Sequence, residues 1–315
     1  MTAVATPTEP WTENRVAFLD RVLAELQGSL STTAAMDRLS DGLWWYRVND
    51  PRGWAEWIPE ARRHPIAAVV HQDPFTRRSF EKPRGYPGDA ALLDLIYYDL
   101  GYANVLPLSP IGRRIFWRNR DAPGPRAVRE RRDHLAMLLD RTAHRRINAS
   151  VMAIAAGHLR EGLLSRALAA GNLGRVVAFD QDTDSLGEIA RTFGDKVETR
   201  QGSIRDLIGT ADHHERFDLV YAAGLYDYLS DAVAVRLTTS LFEMLAPGGE
   251  LVLANFTPDV RDAGYMETYM GWSLIYRSPE RLADTIAELP ASVRSEAAIY
   301  FLSRPDICYL SVRRP

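Results

Sequence analysis

The sequence holds a single cysteine, Cys308. A lone thiol excludes an internal disulfide and a cysteine-built metal centre. Cys308 sits in Asp306-Ile307-Cys308-Tyr309-Leu310, an apolar run expected to form a buried strand with the thiol as a small core residue. No His, Asp and Glu set has metal-ligand spacing, so no metal is expected. An excess of positive charge is lacking too: 38 Lys and Arg stand against 41 Asp and Glu. A nucleic-acid partner would ask for a basic footprint, and none is expected. Basic residues do gather at Arg113-Arg114, Arg118-Asn119-Arg120 and Arg129-Glu130-Arg131-Arg132, where a solvated helix face is the ordinary meaning and a patch for an acidic substrate the alternative. No apolar run approaches the ~18 residues of a membrane span. Met1 to Pro10 lacks the basic and apolar regions of a signal peptide. A cytoplasmic protein without a membrane partner is expected, and the sequence says nothing of its oligomeric state.

What is present is a chain of two textures. Residues 1–145 are rich in Trp, Pro and Arg and carry helical spacing. Val16, Leu19, Val22, Leu23, Leu26 and Leu30 repeat every three or four residues, which predicts an amphipathic helix in 11–30 that Thr12 could cap. Further helices are expected over 90–98 and 126–143, and Pro123-Gly124-Pro125 is expected to break helices. Trp44-Trp45-Tyr46, Trp54 and Trp57 are expected in the core or at an interface rather than in a binding box. His213-His214 reads as a solvated loop. From 146 to 315, short apolar runs alternate with helical stretches of 10 to 15 residues. That pattern predicts an α/β unit, a parallel sheet with helices on both faces. It ends in two adjacent strand-like runs, 291–302 and 306–313, which must lie antiparallel. Two domains are therefore expected, a helical one over 1–145 and a ligand-binding one over 146–315.

In such a sheet, ligands sit at the carboxyl ends of the strands. The first candidate is the small-residue turn Ala155-Ala156-Gly157-His158, where backbone can approach a ligand; it could equally serve helix–sheet packing. The next strand ends in Asp180-Gln181-Asp182. An acidic residue there suits a ribose diol, while capping of the next helix is the alternative, with Asp182 or Thr183 able to cap as Asp180 binds. The third tip is Gly202-Ser203-Ile204, an apolar wall and polar edge for an adenine, or else a helix cap. The fourth strand ends near Ala222 and Gly224, whose backbone is expected to border the same ligand, and is followed by Tyr226, Asp227 and Tyr228.

These tips, in order with Phe217-Asp218-Leu219-Val220-Tyr221 and Leu245-Ala246-Pro247-Gly248-Gly249-Glu250-Leu251, resemble the class I S-adenosylmethionine-dependent methyltransferases over about 150 to 313. The resemblance implies a Rossmann-like, seven-stranded methyltransferase sheet with an antiparallel last strand, S-adenosyl-L-methionine as cofactor, and methyl transfer to a small-molecule acceptor. It departs from the family's Gly-x-Gly-x-Gly turn and the acidic residue before it. Ala155 and Leu159 replace two glycines, and Ala153 stands at the acidic position.

A second resemblance covers the first half. His71-Gln72-Asp73-Pro74-Phe75-Thr76 and Arg84-Gly85-Tyr86-Pro87-Gly88-Asp89 are similar to a bacterial branch that includes proteins of 3-hydroxy fatty acid methyl ester formation. The branch implies a helical lid. Asp89 or Tyr86 is then expected to replace the lost acidic contact and Arg84 to meet the cofactor carboxylate; a turn with Asp89 as helix cap is the alternative. Tyr226, Tyr228, Tyr265, Tyr269, Trp272, Tyr276 and Arg277 are the candidate acceptor-site residues, although 266–275 could simply be a packed helix. Tyr226 and His158 are the candidate catalytic groups, with Asp227 a further candidate base. Two other classes compete. A nicotinamide oxidoreductase needs Gly-x-Gly-x-x-Gly at the first turn, which 155–160 lacks. A methyltransferase-like protein that binds cofactor without catalysis would also tolerate the altered turn.

Overall fold

The computed structural model describes residues 14–28, 31–97, 108–209 and 216–315. The chain forms two compact units, Met1–Pro125 with Arg261–Ser273, and Arg126–Val260 with Leu274–Pro315. The segment 261–273 thus joins the helical unit, although it lies late in the sequence.

The first unit is helical: α1 Arg15–Gln27, α2 Thr32–Asn49, α3 Pro51–Arg63, α4 Ile66–Val70, α5 Pro74–Glu81, α6 Ala90–Tyr97, α7 Pro110–Arg120 and, from the late segment, α13 Ala263–Tyr269. Proline starts three of these helices, and Pro59 lies inside α3. Pro51, Pro74 and Pro110 each follow a side chain that caps the helix, namely Asp50, Asp73 and Ser109. A first-turn proline loses only an N–H that no carbonyl would have accepted. α1 buries Leu19, Val22 and Leu26 of the expected stripe together with Phe18, while Val16 is exposed and Leu23 half-buried, and Asn14 caps the helix by accepting from Val16 N. Thr12 and Leu30 lie outside the described residues, as do Tyr98, His213 and His214. Tyr46, Trp54 and Trp57 are core, as expected. Gly264 lets α13 meet α2 backbone to backbone: a Cβ there would lie 2.6 Å from the Leu43 carbonyl carbon.

Helix α8, Pro123–Arg145, opens on the Pro-Gly-Pro expected to break helices. The prolines sit in its first turn, and Gly124 N–H donates to Asp262 Oδ2 at 2.6 Å. From Arg126 this helix belongs to the second unit.

The second unit holds β1 Ser150–Ile154, β2 Arg175–Asp180, β3 Glu198–Gln201, β4 Phe217–Ala222, β5 Leu245–Phe256, β6 Ala298–Phe301 and β7 Ile307–Arg313. Its remaining helices are α9 Arg166–Ala170, α10 Thr183–Phe193, α11 Ile204–Gly209, α12 Asp231–Glu243, α14 Pro279–Ala283 and α15 Ala291–Ser295. The strand order is β3-β2-β1-β4-β5-β7-β6. The first five strands run parallel, and β7 is antiparallel to both neighbours. The seven-stranded α/β sheet and its antiparallel end agree with expectation. The expected strand over 291–302 is shorter, because Pro290 opens a turn of helix and pairing begins at Ala298.

Strand alternation sorts the two faces. Met152, Ile154, Val177, Phe179, Val220, Ala222, Leu251, Leu253 and Cys308 pack with Leu237 and Leu241 of α12 in one apolar core. Ala153 and Tyr221, register partners on β1 and β4, point to the opposite face. α8 runs antiparallel to β4. At the foot of the sheet Arg146, just past its end, pairs with Asp218, while Arg131 reaches Ala223 beyond the strand's upper end. No described helix is long and apolar enough to cross a membrane.

Candidate functional site

The chain steps from β1 to β2 and β3 on one side and to β4 and β5 on the other. The carboxyl ends of β1 and β4 therefore flank the switch point, where open sheets of this kind bind ligands. The turn after β1 holds three residues in the left-handed region: Ala155 at φ 52°, Gly157 at 56° and Leu159 at 51°. Residues with a Cβ reach it at a cost of about 1–2 kcal/mol each. Ala155 and Leu159 thus adopt a backbone conformation that favours glycine, although neither is glycine. Leu159 is held there by burial and donates its N–H to Ala156 O.

The first three tips are stitched together. Gly157 N–H donates to Asp180 Oδ2 at 2.8 Å, and Asp182 N–H to Oδ1 at 2.9 Å. Ala156 N–H donates to Phe179 O, and Gly202 N–H to Asp180 O. Burial raises the Asp180 carboxyl above its ordinary range against the pull of these N–H groups. Asp182, not Asp180, caps α10. Gly202 is glycine because a Cβ would lie 2.5 Å from the Phe179 ring. Ser203 donates through N–H and hydroxyl to Asp206 Oδ2 at the start of α11, close to the cap expected there. Residues 155–157 and 202–204 are half-buried, and Gln181 and Gly224 exposed, so the tips present an accessible edge.

His158 is buried, with Arg160 Nη2 3.4 Å from its Nδ1, and Arg160 is paired to Glu188. A guanidinium only donates, so Nδ1 is the accepting atom of this contact. At the fourth tip, Tyr226 turns into the core and its hydroxyl pairs with Thr238. Tyr228 is 40% exposed. Asp227 is buried, accepts from Phe256 N, and is pushed by burial to about 6. Arg277 is fully buried. It donates to Tyr226 O, Leu229 O, Asn255 Oδ1 and Asp231 Oδ1, which pins the β4 and β5 tips together. Tyr276 is buried beside it.

The remaining sequence-predicted residues lie in the first unit. Asp89 caps α6 through Leu92 N and takes a two-pronged ion pair from Arg78 at 2.9 Å. Arg84 and Tyr86 are half-buried in the turn before it. Tyr265 hydroxyl joins Thr76 and Asn119 around Asp73, and Tyr269 and Trp272 are buried, much as a packed helix requires.

Sequence reasoning passed over three residues. Glu161, in the 3-10 turn Arg160–Leu163, is buried and accepts from Tyr221 hydroxyl at 2.8 Å. Burial raises both groups from their ordinary values. Arg131 was expected on a solvated face, yet it is buried and donates to Ala223 O. Its charge acts on both Glu161 and Asp227. The usable signal was its spacing: Arg131, Leu135 and Leu138 share one helical face.

Comparison with known proteins agrees with this architecture. Residues 151–249 match the model of a family described as "Methyltransferase domain". No curated protein matches the chain. A solved structure from Bordetella parapertussis, described as a possible exported protein, is 18% identical with a TM-score of 0.58, covering 90% of this chain and 96% of its own. N-methyltransferase NodS from Bradyrhizobium japonicum, in complex with S-adenosyl-L-homocysteine, is 18% identical with a TM-score of 0.43, covering 63% of this chain and 91% of its own. The glycopeptide N-methyltransferase MtfA is 18% identical with a TM-score of 0.39, covering 57% and 90%. The second unit thus carries a class I methyltransferase fold.

Proposed function

We propose that the protein is an S-adenosylmethionine-dependent methyltransferase acting at oxygen or nitrogen of a small-molecule acceptor. The observation that carries this is the turn 155–159, which keeps the left-handed backbone at all three glycine positions and seats Gly157 N–H on Asp180. Backbone strain of this kind is retained where a site requires it.

The residues fit the cofactor. Asp180 accepts Gly157 N–H on Oδ2 and Asp182 N–H on Oδ1, and the Gln181 backbone N–H also favours its charge. A carboxylate has about four acceptor sites, which leaves capacity for a ribose hydroxyl. Ser203 and Ile204 would border the adenine, and Ala155 to Gly157 would lie along the sugar and sulfur. When bound, the cofactor supplies an electrophilic methyl group on a sulfonium. The chain's own part is alignment and exclusion of water. Tyr228 and Tyr276 would meet the acceptor, Tyr226 and Arg277 would hold the tip in shape, and His158 or Asp227 would take a proton from a neutral nucleophile.

The test is calorimetric titration with S-adenosylmethionine. Wild type is expected to bind, and Asp180→Ala to bind roughly 100-fold more weakly, the loss of two hydrogen bonds to a charged group. A wild-type protein that does not bind, or a variant of unchanged affinity, would remove the proposal.

A further inference from the structure

The second unit buries an unusual set of charges at its switch point. Glu161 lies on the 3-10 turn that follows the strained loop, with its carboxylate on Tyr221 hydroxyl. Tyr221 is the register partner of Ala153, so their side chains share one face of the sheet. Residue 153 offers only a methyl there, and the carboxylate reaches that face from Glu161 instead. Arg131 is buried at the end of β4, donating to Ala223 O. A Cβ on Gly224 would sit 3.8 Å from Arg131 Nη2, so the missing side chain leaves the guanidinium close to an exposed turn. Arg131 and Arg132 act on the Glu161 charge, and Arg131 also on Asp227.

Charges removed from water destabilise a fold unless they are matched. Buried ionisable groups with specific charge partners are candidates for a ligand site. One carboxylate and one guanidinium gathered near the end of β4 complement a group that carries an ammonium and a carboxylate together.

Resting on the function proposed above, we infer that Glu161 and Arg131 read the zwitterionic amino-acid end of the cofactor, Glu161 receiving the ammonium and Arg131 the carboxylate. Tyr221 is a positioning residue that orients Glu161. Glu161 thereby supplies the acidic group that position 153 lacks, from within the same unit.

The experiment compares two ligands by calorimetry. S-adenosylhomocysteine carries the amino-acid end; 5′-methylthioadenosine shares the nucleoside and thioether and lacks that end. Glu161→Gln preserves size and the acceptor for Tyr221, and Arg131→Met preserves length. Each is expected to weaken S-adenosylhomocysteine by roughly 10- to 100-fold, as loss of one charged contact does, and to leave 5′-methylthioadenosine within about twofold. Asp180→Ala is expected to weaken both ligands alike. Equal losses for both ligands in Glu161→Gln, or no loss for either, would overturn the inference. If Arg131→Met does not fold, Glu161→Gln decides alone, and a folded Tyr221→Phe should show a smaller loss of the same selectivity. Wild type binding neither ligand would instead sink the proposed function itself.

Discussion

Asp73 and Glu161 are both carboxylates buried away from water, one in each unit, and their surroundings differ. Asp73 is enclosed by donors: Phe75 N, Thr76 N, Thr76 hydroxyl and Asn119 Nδ2 all point at it. These partners are neutral, and the contacts start α5 and hold Asn119 of α7. Among the described residues Glu161 accepts from Tyr221 hydroxyl and its own backbone N–H, and it feels the cations Arg131 and Arg132. A closed neutral network is what a structural cap needs. A carboxylate set among cations is what a binding site for a charged group needs. The comparison separates scaffold from site more sharply than burial does, because the two residues are about equally hidden.

The contrast can be broken by substitution, and the largest effect is expected at Asp73. Asp73→Ala strands four buried donors and should lower unfolding stability in urea by roughly 3 kcal/mol. Glu161→Gln, which keeps its one hydroxyl contact, should cost under about 1 kcal/mol and act on ligand affinity instead. Similar stability losses in the two variants would erase the distinction drawn here.

Next in size is the response to pH. Burial pushes the Asp73 carboxyl up to about 6. The unfolded chain releases that proton near the ordinary aspartate value, so between about pH 4 and 6 the unfolded state ionises while the folded state does not. Its stability contribution is complete below pH 4 and is lost as the pH rises through 6, an effect on the order of 3 kcal/mol. Unfolding curves at pH 4.5 and 7 should show this fall in wild type and a smaller one in Asp73→Ala. Equal falls would show that Asp73 is ionised with ease in the fold.

The smallest effect concerns the strained turn. Ala155→Gly relieves a left-handed alanine and should change stability by no more than about 1 kcal/mol while retaining S-adenosylhomocysteine binding. Ala155→Val puts a branched side chain into that conformation, and it should weaken binding at least tenfold by calorimetry, consistent with a shape-dependent turn. Equal binding by the two variants would mean that the backbone at 155 does not matter.

Much of the second unit was legible in sequence because its signals are local. Apolar runs alternating with helical stretches give the parallel sheet, and an aspartate at the second tip gives Asp180. The strained turn was not legible, since Ala155 and Leu159 carry no mark of positive φ; neighbouring packing imposes it. Arg131 read as solvated because charge runs ordinarily face water, and only its place opposite β4 shows otherwise. Pro123-Gly124-Pro125 was taken as a break because proline's meaning depends on whether it falls inside a helix or in its first turn. Ala291 to Ser295 read as strand because five residues are too few to display a period. In the first unit, Asp89 carried both meanings in sequence; its ion pair to Arg78 and bond to Leu92 N supply the cap.

The central claim is that a turn poor in glycine still cradles a methyl-donor nucleoside, with its amino-acid end read by Glu161 and Arg131. A crystal structure with S-adenosylhomocysteine tests it most directly. The account predicts the ribose hydroxyls on Asp180, the ammonium at Glu161 and the carboxylate at Arg131. A nucleoside seated away from Asp180, or an amino-acid end that meets neither Glu161 nor Arg131, would contradict it.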